Sequence, residues 1–279
     1  MHRKSFTLIE LLIVIIIIGL LAGVIMISTS SSIDTANIAK SLVFTKKIDN
    51  KLYLNMVSQW DFDNPSNVYY DFLGKNNGTC TTCPTHAVSE ECVKGRCLCF
   101  EADNTYVLLS QSFVLTQDNS TLDFWFKKTS SGDTAIFARN NVNTQAFLEF
   151  KSTGGLSGET DTNNIYFPTY TATANDYKWH NYVLVLGNAD SKLYVDGVAG
   201  SSQAVLTVKT TLNSIGASST TAYAQYLKGY VDEVKVYNKA FSEAQVKANY
   251  LAGIKHLFNE GKITKQEYNE KIKGLSYEK

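Results

Sequence analysis

The chain has little proline and no net charge. Its 279 residues include 3 prolines, and 26 basic residues balance 26 acidic ones. Because phosphate recognition needs clustered Lys and Arg, this balance argues against a nucleic-acid-binding surface. The chain instead contains 16 Tyr and 14 Phe residues, and Thr, Ser, Asn and Gly are plentiful. This mixture is typical of a twisted antiparallel sheet with polar loops.

The sequence also lacks a recognisable catalytic or metal-binding arrangement. Its histidines, at positions 2, 86, 180 and 256, are scattered without the spacing of metal ligands, and His180 is expected to be a strand residue. Sugar-cleaving enzymes use two carboxylates. Asp232 and Glu233 are adjacent, so in a regular strand they would point to opposite faces. The sequence therefore predicts that the protein is not an enzyme.

One long apolar run dominates the N-terminus. Every residue from 11 to 27 is apolar or Gly. Counted from Phe6, the segment is long enough to cross a bilayer as a helix. The basic residues at positions 2–4 precede it, which predicts a cytoplasmic N-terminus and export of the rest of the chain.

Glu10 interrupts the apolar segment near its start. A carboxylate at membrane depth costs about 2.5–3.5 kcal/mol, so it requires a partner or a function. A cleaved secretory signal is a poor explanation, because the run is too long, Glu10 intrudes and no clear Ala-x-Ala site follows. A plain membrane anchor fits the length but gives Glu10 no purpose.

A third interpretation rests on residues 4–10, Lys-Ser-Phe-Thr-Leu-Ile-Glu, which resemble the processing site of type IV pilins and pseudopilins. The resemblance implies that a prepilin peptidase and methylase removes leader residues 1–5 by cutting between Ser5 and Phe6, and then methylates the Phe6 amine. It also implies that Glu10 pairs with the Phe6 amine of a neighbouring pilin subunit. Pairing makes two otherwise costly buried charges acceptable and fixes the register of assembly.

Two departures from the pilin pattern are visible. Gly usually precedes the cut, so Ser5 leaves the efficiency of cleavage open. Pilin helices often contain a proline in their apolar half, and residues 6–33 contain none. The resemblance therefore implies a straighter helix, closer to that of a minor pilin or a pseudopilin.

The pattern predicts that this helix continues to about Asn55. Apolar residues recur with polar residues between them, and no Gly or Pro interrupts residues 24–55. Residues 6–55 would then be about 75 Å long, with residues 6–33 in the membrane or the filament core. The alternative is a flexible linker at residues 28–32, because Ser and Thr are indifferent helix formers.

From residue 57 the periodicity changes to that of β-strands. Short β-type runs separated by turn residues predict a two-sheet β-sandwich over residues 57–241. Runs 121–127 and 192–196 alternate as half-buried strands should, and Asp196-Gly197 is a tight-turn signal. The predicted strands are 57–62, 97–100, 106–109, 120–128, 135–138, 146–151, 164–167, 180–186, 191–195, 200–208, 213–215 and 225–237.

Several of these runs resemble the motifs of laminin-G-like, concanavalin A-like jelly rolls. They occur in that family's order: Trp60-Asp-Phe-Asp, Leu122-Asp-Phe-Trp-Phe, Trp179-His-Asn-Tyr-Val, Leu193-Tyr-Val-Asp-Gly and Gly229-Tyr-Val-Asp-Glu-Val-Lys-Val-Tyr. The resemblance covers roughly residues 57–252 and implies a mainly β protein with an antiparallel jelly roll. Because this fold hosts lectins, adhesive domains and purely structural domains, it does not settle the function.

Five cysteines lie close together, at Cys80, Cys83, Cys92, Cys97 and Cys99. In an exported domain they should be oxidised. We predict two disulfides that tie the loop 76–91 to the strand 97–99, with a leftover cysteine that the spacing does not identify. That thiol would be buried or would join two subunits. A zinc knuckle is the alternative, because Cys-x-x-Cys is a common pair of zinc ligands.

The jelly-roll resemblance also implies a calcium site as one interpretation of the loop around residue 75. Laminin-G-like domains often hold Ca²⁺ in rim loops, and Asp71, Asn76 and Asn77 offer the oxygen ligands that calcium prefers. An ordinary Asn-Gly turn at residues 77–78 is the favoured alternative.

The C-terminal residues 242–279 predict a helical hairpin. Ser242-Glu-Ala-Gln is a capping box that opens a helix ending at Gly261. Thr264-Lys-Gln-Glu opens a second helix that ends near Gly274. Residues 254–268 resemble the short C-terminal helical modules called SHOCT domains, and such a hairpin is expected to pack on the sandwich or on a partner.

These features predict a type IV pilin-like protein, either a minor pilin or a pseudopilin. It would begin in the inner membrane and display its jelly roll on a filament or at the cell surface, where it binds a glycan or another surface ligand. One alternative is a membrane-anchored lectin or sensor that never polymerises. The less favoured alternative is a carbohydrate-active enzyme, which needs two carboxylates about 5–10 Å apart in a groove.

Overall fold

The structure is a computed structural model, and the chain forms two compact units, Met1–Lys46 and Lys47–Lys279. The structure describes residues 8–22, 52–87, 90–116, 119–139, 147–152, 155–159, 164–166, 176–188, 190–200, 203–204, 209–216 and 226–275.

The first unit contains helix α1, residues 8–22. Its Leu, Ile and Val side chains are all exposed, from 48% for Val14 to 84% for Leu8. Within the described residues, no helix combines the length and the apolar character that crossing a bilayer requires. Most of the predicted continuation, residues 23–51, lies outside the described residues. The chain is helical at 52–53 and turns at 54–55, close to the predicted helix end.

The second unit contains sixteen strands among its described residues, followed by two helices. The strands are β1 (Met56–Trp60), β2 (Gly78–Thr79), β3 (Thr85–Ala87), β4 (Cys97–Phe100), β5 (Val107–Thr116), β6 (Ser120–Lys128), β7 (Thr134–Ala138), β8 (Phe147–Phe150), β9 (Leu156–Glu159), β10 (Asn164–Tyr166), β11 (His180–Leu186), β12 (Asp190–Val195), β13 (Val198–Ala199), β14 (Gln203–Ala204), β15 (Lys209–Ile215) and β16 (Gly229–Tyr237). The helices are α2 (Glu243–Asn259) and α3 (Lys265–Gly274).

These strands form two antiparallel sheets. In sheet A the order is β13-β12-β11-β6-β16-β4-β3, with β1 paired to β16 and β14 paired to β12. In sheet B the order is β10-β9-β8-β7-β15-β5-β2. Buried side chains from both sheets share one apolar core. The predicted two-sheet antiparallel sandwich is therefore confirmed.

Aromatic rings fill the centre of this core. Phe124 of β6 stacks on Tyr182 of β11, with ring centroids 5.6 Å apart, and meets Phe137 of β7 edge-on at 5.2 Å. Burying a side chain of this size contributes about 3 kcal/mol to the stability of the folded state. The contact between Phe124 and Phe137 joins the two sheets, so it holds the sandwich together as well as filling it.

Strand β6 is buried on both faces, so the prediction of a half-buried strand is wrong here. Trp125 lies on the face away from the core, and its ring stacks on Tyr250 of α2 with centroids 5.9 Å apart. Gly253 permits this approach, because a Cβ at that position would lie 2.5 Å from the Trp125 ring. The C-terminal hairpin, formed by α2 and α3, thus packs on sheet A, which is one of its two predicted positions.

The hairpin helices begin where the sequence predicts. Ser242 and Gln245 form the capping box of α2, and Thr264 and Glu267 form that of α3. In each box, both the side chain and the backbone of the first residue bond to the residue three positions later. Because capping satisfies backbone groups locally, these boundaries depend on sequence more than on packing.

Strand boundaries differ from the prediction where periodicity is short or broken. Strands β2, β3 and β9 have two to four residues, too few to show an alternation. The ten residues of β5 include the polar run 110–112. This run interrupts the apolar pattern, so the sequence did not predict a strand through the middle of β5. Within the predicted strand 200–208, the structure describes Gly200 and the short β14, whereas residues 201–202 and 205–208 lie outside the described residues.

Candidate functional site

The predicted assembly residues are only partly described. Ser5 and Phe6 lie outside the described residues. Glu10 lies on α1 and is exposed among apolar side chains. A carboxylate on an otherwise apolar helix surface is what the pairing hypothesis requires, and the pairing itself stays a prediction.

Asp71, one of the predicted calcium ligands, is fully buried in the loop between β1 and β2. Its carboxylate accepts hydrogen bonds from backbone N–H groups on both oxygens. Oδ1 accepts from Gln59 at 2.8 Å and Leu73 at 3.2 Å, and Oδ2 accepts from Lys75 at 3.1 Å and Asn76 at 3.0 Å. The charge is therefore used to close the loop.

The other two predicted ligands are engaged in the same way. Asn76 Oδ1 accepts the backbone N–H of Gln111 at 2.8 Å, and Asn77 Oδ1 accepts that of Asp71 at 2.9 Å. Oxygens that face N–H donors are poor ligands for a cation, so this geometry does not favour a calcium site at Asp71, Asn76 and Asn77, and that site stays a prediction. The Asn-Gly turn is wrong, because Gly78 starts β2 and the loop turns at Gly74, whose N–H donates to the Asp71 carbonyl.

The cysteines form two disulfides, as predicted, but both pairings are local. Cys80 pairs with Cys83 and Cys92 pairs with Cys97, so the loop 76–91 is not tied to the strand 97–99 as expected. Because these four cysteines are oxidised, the alternative of a zinc knuckle has no ligands among them. Cys99 keeps a buried thiol, and burial raises the pKa of that thiol.

A β-bulge changes the placement of Asp232 and Glu233. The pairing of β16 with β6 shifts between Asp232 and Lys235, and Glu233 has a φ of +49°. Instead of facing opposite sides, both carboxylates reach Lys94. The backbone N–H of Lys94 donates to Asp232 at 2.9 Å, and its Nζ lies 3.2 Å from Glu233 Oε1.

Both carboxylates are buried, and their environments separate their pKa values. Desolvation and the nearby Glu233 raise the pKa of Asp232. Burial alone would raise the pKa of Glu233, but Lys235 and Lys94 lower it to about 2. The contacts of these two carboxylates with Lys94 hold residues 90–97, the disulfide turn, against sheet A, and both carboxylates are covered from solvent.

A groove of about 620 Å³ opens where three parts of the second unit meet. One wall is residues 177–180, which lead into β11. The second is the start of the disulfide turn, residues 90–92, and the third is the C-terminal hairpin. We call it the aromatic groove, because Tyr177 and Trp179 line it. Its volume lies within the range of small-molecule sites, about 300–1,000 Å³.

The two aromatic side chains are held in different ways. The indole N–H of Trp179 donates to the Glu91 carbonyl at 2.7 Å, and its ring meets Tyr230 edge-on at 6.3 Å. Tyr177 is 55% exposed and has a φ of +59°. This left-handed conformation costs a residue with a Cβ about 1–2 kcal/mol. The surrounding fold thus keeps a strained backbone that presents an aromatic ring to solvent.

His180 lines the same groove at the start of β11. Its Nδ1 is 2.9 Å from Asp196 Oδ2, and its Nε2 is 2.9 Å from Asp176 Oδ1. Burial of the ring would lower the pKa of His180, but hydrogen bonds and attraction to Asp196 and Asp176 outweigh this and raise it. The two carboxylates therefore favour the imidazolium, which ties Asp176, the residue before Tyr177, to sheet A.

Asp196 links this cluster to the hairpin. It occupies the predicted Asp-Gly turn between β12 and β13, where Asp196 and Gly197 have φ angles of +52° and +78°, as a tight hairpin turn requires. Its carboxylate accepts the N–H of Asn181 at 3.0 Å and lies 3.8 Å from Lys271 Nζ of α3. One residue thus contacts both the β11 wall and the hairpin wall of the aromatic groove.

The sequence of residues 101–247, more than half of the chain, matches the family model of the concanavalin A-like lectin/glucanases superfamily. The chain belongs to this superfamily. Residues 1–26 match the prokaryotic N-terminal methylation motif, which confirms the prepilin-type N-terminus of this superfamily member. No curated protein matches the chain.

Solved structures with similar folds include toxin and sialidase domains. The receptor-binding domain of botulinum neurotoxin D is 14% identical with a TM-score of 0.53, over 72% of this chain and 53% of that one. The serotype D ligand-binding domain in complex with N-acetylneuraminic acid is 13% identical with a TM-score of 0.55, over 74% and 52%. A Trypanosoma rangeli sialidase mutant displaying trans-sialidase activity is 13% identical with a TM-score of 0.54, over 78% and 38%.

These likenesses show the fold alone, because the identities are low. The chain spans about half the length of the toxin structures and less of the sialidase. The aromatic groove was not among the sequence predictions. From the sequence, Trp179 and His180 are interpreted as part of a strand motif. The capping boxes predict the hairpin, but they do not indicate which part of the superfamily domain the hairpin covers.

Proposed function

We propose that this superfamily member is a type IV pilin-like subunit, a minor pilin or pseudopilin, that displays its sandwich domain outside the cell. The observation that supports this most is the methylation motif over residues 1–26, joined to an apolar helix that carries Glu10. A helix that is apolar on every side needs a cover. The membrane would cover it before assembly, and neighbouring pilin subunits would cover it afterwards.

The exported domain is consistent with this location. Two disulfides in the second unit fit an oxidising compartment outside the cytoplasm. A prepilin peptidase would act on the leader from the cytoplasmic side, leaving Phe6 as the first residue. Glu10 of one subunit would then pair with the Phe6 amine of another, as the resemblance to pilins implies.

The domain is proposed to bind a glycan or another surface ligand without catalysis. Its superfamily is named for lectins as well as glucanases, and the toxin domain named above was solved with N-acetylneuraminic acid. The enzyme alternative is not favoured, because Asp232 and Glu233 are buried and engaged with Lys94.

The experiment that tests the proposal is a Glu10→Ala substitution in cells that assemble the filament. We expect incorporation of the variant into filaments to fall sharply, because the Phe6 amine of its neighbour loses its partner. The conservative Ile13→Leu change on the same helix is the control and should assemble normally. Both proteins should keep the two disulfides and the same melting temperature of the exported domain. Normal incorporation of the Glu10→Ala protein would overturn the proposal.

A further inference from the structure

Building on the proposed function, we propose that the aromatic groove binds a neutral saccharide, with the C-terminal hairpin as one wall of the site. The groove combines two aromatic side chains with positively and negatively charged side chains. This combination is typical of sites that bind a ligand with apolar faces and many hydroxyl groups. Sugars have this character, since their ring C–H groups form apolar faces and their hydroxyls both donate and accept.

The aromatic side chains provide the stacking surface. Tyr177 presents its ring to solvent from a strained backbone, so the fold sets the position from which this side chain projects. Trp179 is held by its bond to the Glu91 carbonyl and by its contact with Tyr230. A ring that is already fixed loses little conformational entropy on binding, which favours affinity.

The charged groups of the groove argue against an acidic ligand, because three of its four lysines already have a partner. Lys262 Nζ donates to the carbonyls of Cys92 and Val93 at 2.8 and 3.4 Å. Lys271 Nζ lies 3.8 Å from Asp196 Oδ2, and Lys127 Nζ lies 4.4 Å from the centre of the Tyr230 ring. A carboxylate ligand at these lysines would have to displace one of these contacts, and the glutamates that line the groove would repel it. The charges therefore favour a neutral sugar over a sialic or uronic acid.

The carboxylates supply acceptors for sugar hydroxyls. Glu90 and Glu91 are exposed on the disulfide turn, and Glu270 lies on α3. A hydroxyl that donates to an ionised carboxylate forms one of the stronger hydrogen bonds available to a neutral ligand. Because Glu270 and Lys271 belong to the hairpin, the hairpin helps to select the ligand and does more than cover sheet A.

The test uses the full-length protein in detergent and biotinylated oligosaccharides of glucose, mannose and galactose. Oligogalacturonate and sialyllactose serve as acidic probes. The decisive variant is Tyr177→Gly, which removes the ring and relieves the positive φ, so the fold should be at least as stable as before. Tyr177→Asn is a second ring-deleted variant, because Asn also tolerates a positive φ. It controls for the backbone flexibility that Gly adds. Tyr177→Phe keeps the ring and should rescue binding, and Tyr70→Ala removes a partly exposed ring outside the groove.

We expect at least one neutral oligosaccharide to bind, and its affinity to fall about tenfold or more in Tyr177→Gly and Tyr177→Asn, the size of one aromatic contact. Tyr177→Phe and Tyr70→Ala should bind nearly as the parent does. Preference for the acidic probes, unchanged affinity in both ring-deleted variants, or no binding to any saccharide would overturn the inference. Failure here is distinct from failure of the proposed function, because Tyr177→Gly should still enter filaments, whereas Glu10→Ala should bind saccharide yet fail to assemble.

Discussion

Replacing Asp71 with Ala should destabilise the sandwich strongly, and calcium should have no part in the effect. The buried Asp71 carboxylate accepts four backbone N–H groups, spread over β1 and the loop that follows it. In Asp71→Ala, all four donors lose their acceptor. The loop also carries the Asn76 carbonyl that accepts the indole N–H of the core residue Trp60 at 2.9 Å, so its distortion reaches the core.

The magnitude follows from these contacts. A hydrogen bond to a charged group contributes about 1.5–3 kcal/mol, and a buried group left without its partner costs about 1–3 kcal/mol. The four contributions do not add, because water enters and the loop relaxes around Asp71. We expect a loss of about 3–5 kcal/mol, at the upper end for single substitutions. In a domain of about this size, the melting temperature should fall by roughly 6–20 °C.

The assay is thermal unfolding of the parent, Asp71→Ala and Asp103→Ala, each with added Ca²⁺ and with a chelator. Asp103 is a matched control, because its carboxylate is 70% exposed and pairs with Lys228 at the surface, where ion pairs contribute little. Asp103→Ala should melt close to the parent. The reasoning would be refuted if Ca²⁺ raised the melting temperature of the parent and Asp71→Ala abolished that increase, or if Asp71→Ala melted like the parent.

Two further predictions concern His180 and the cysteines. Because its folded pKa is raised, His180 should contribute stability that is fully present below its ordinary pKa of about 6.5 and is lost as the pH rises through the folded value. As the pH rises from about 6.5 through the folded pKa, the melting temperature of the parent should therefore fall more than that of His180→Asn, which cannot gain a charge. Parallel curves of melting temperature against pH would contradict this. Removing the Cys92–Cys97 disulfide with Cys92→Ser should cost about 2 kcal/mol by the loop-entropy relation for so short a loop, measured by denaturant unfolding. Mass spectrometry should show that Cys99 of the native parent resists alkylation until the protein unfolds; rapid labelling would show that its burial is wrong.

The sequence correctly predicted elements whose boundaries are set by neighbouring residues in the chain. Strands β4, β6 and β11 have the predicted bounds, and the capping boxes set the start of both hairpin helices. Strand β6 pairs with β11 and β16, which are far from it in the chain. Periodicity alone does not predict which distant strands pair. The resemblance to a known fold predicted the jelly roll but no strand order.

The differences between the predictions and the structure have a common physical origin. A carboxylate such as Asp71 serves equally well as a ligand for a cation or as an acceptor for backbone N–H groups, and the sequence does not reveal which surrounds it. Likewise, the bulge that brings Asp232 and Glu233 to Lys94 arises from strand pairing, which adjacent residues do not encode. The aromatic groove depends on where the hairpin packs, and that depends on the fit of Gly253 against Trp125.

The measurement that tests the central claim most directly is the N-terminal residue and mass of the protein isolated from its own membrane or from shed filaments. The proposed function predicts a chain that begins at Phe6 with a methylated amine. An intact Met1 would contradict it. The protein would then be a surface protein anchored by its apolar segment, and Glu10 would need another explanation.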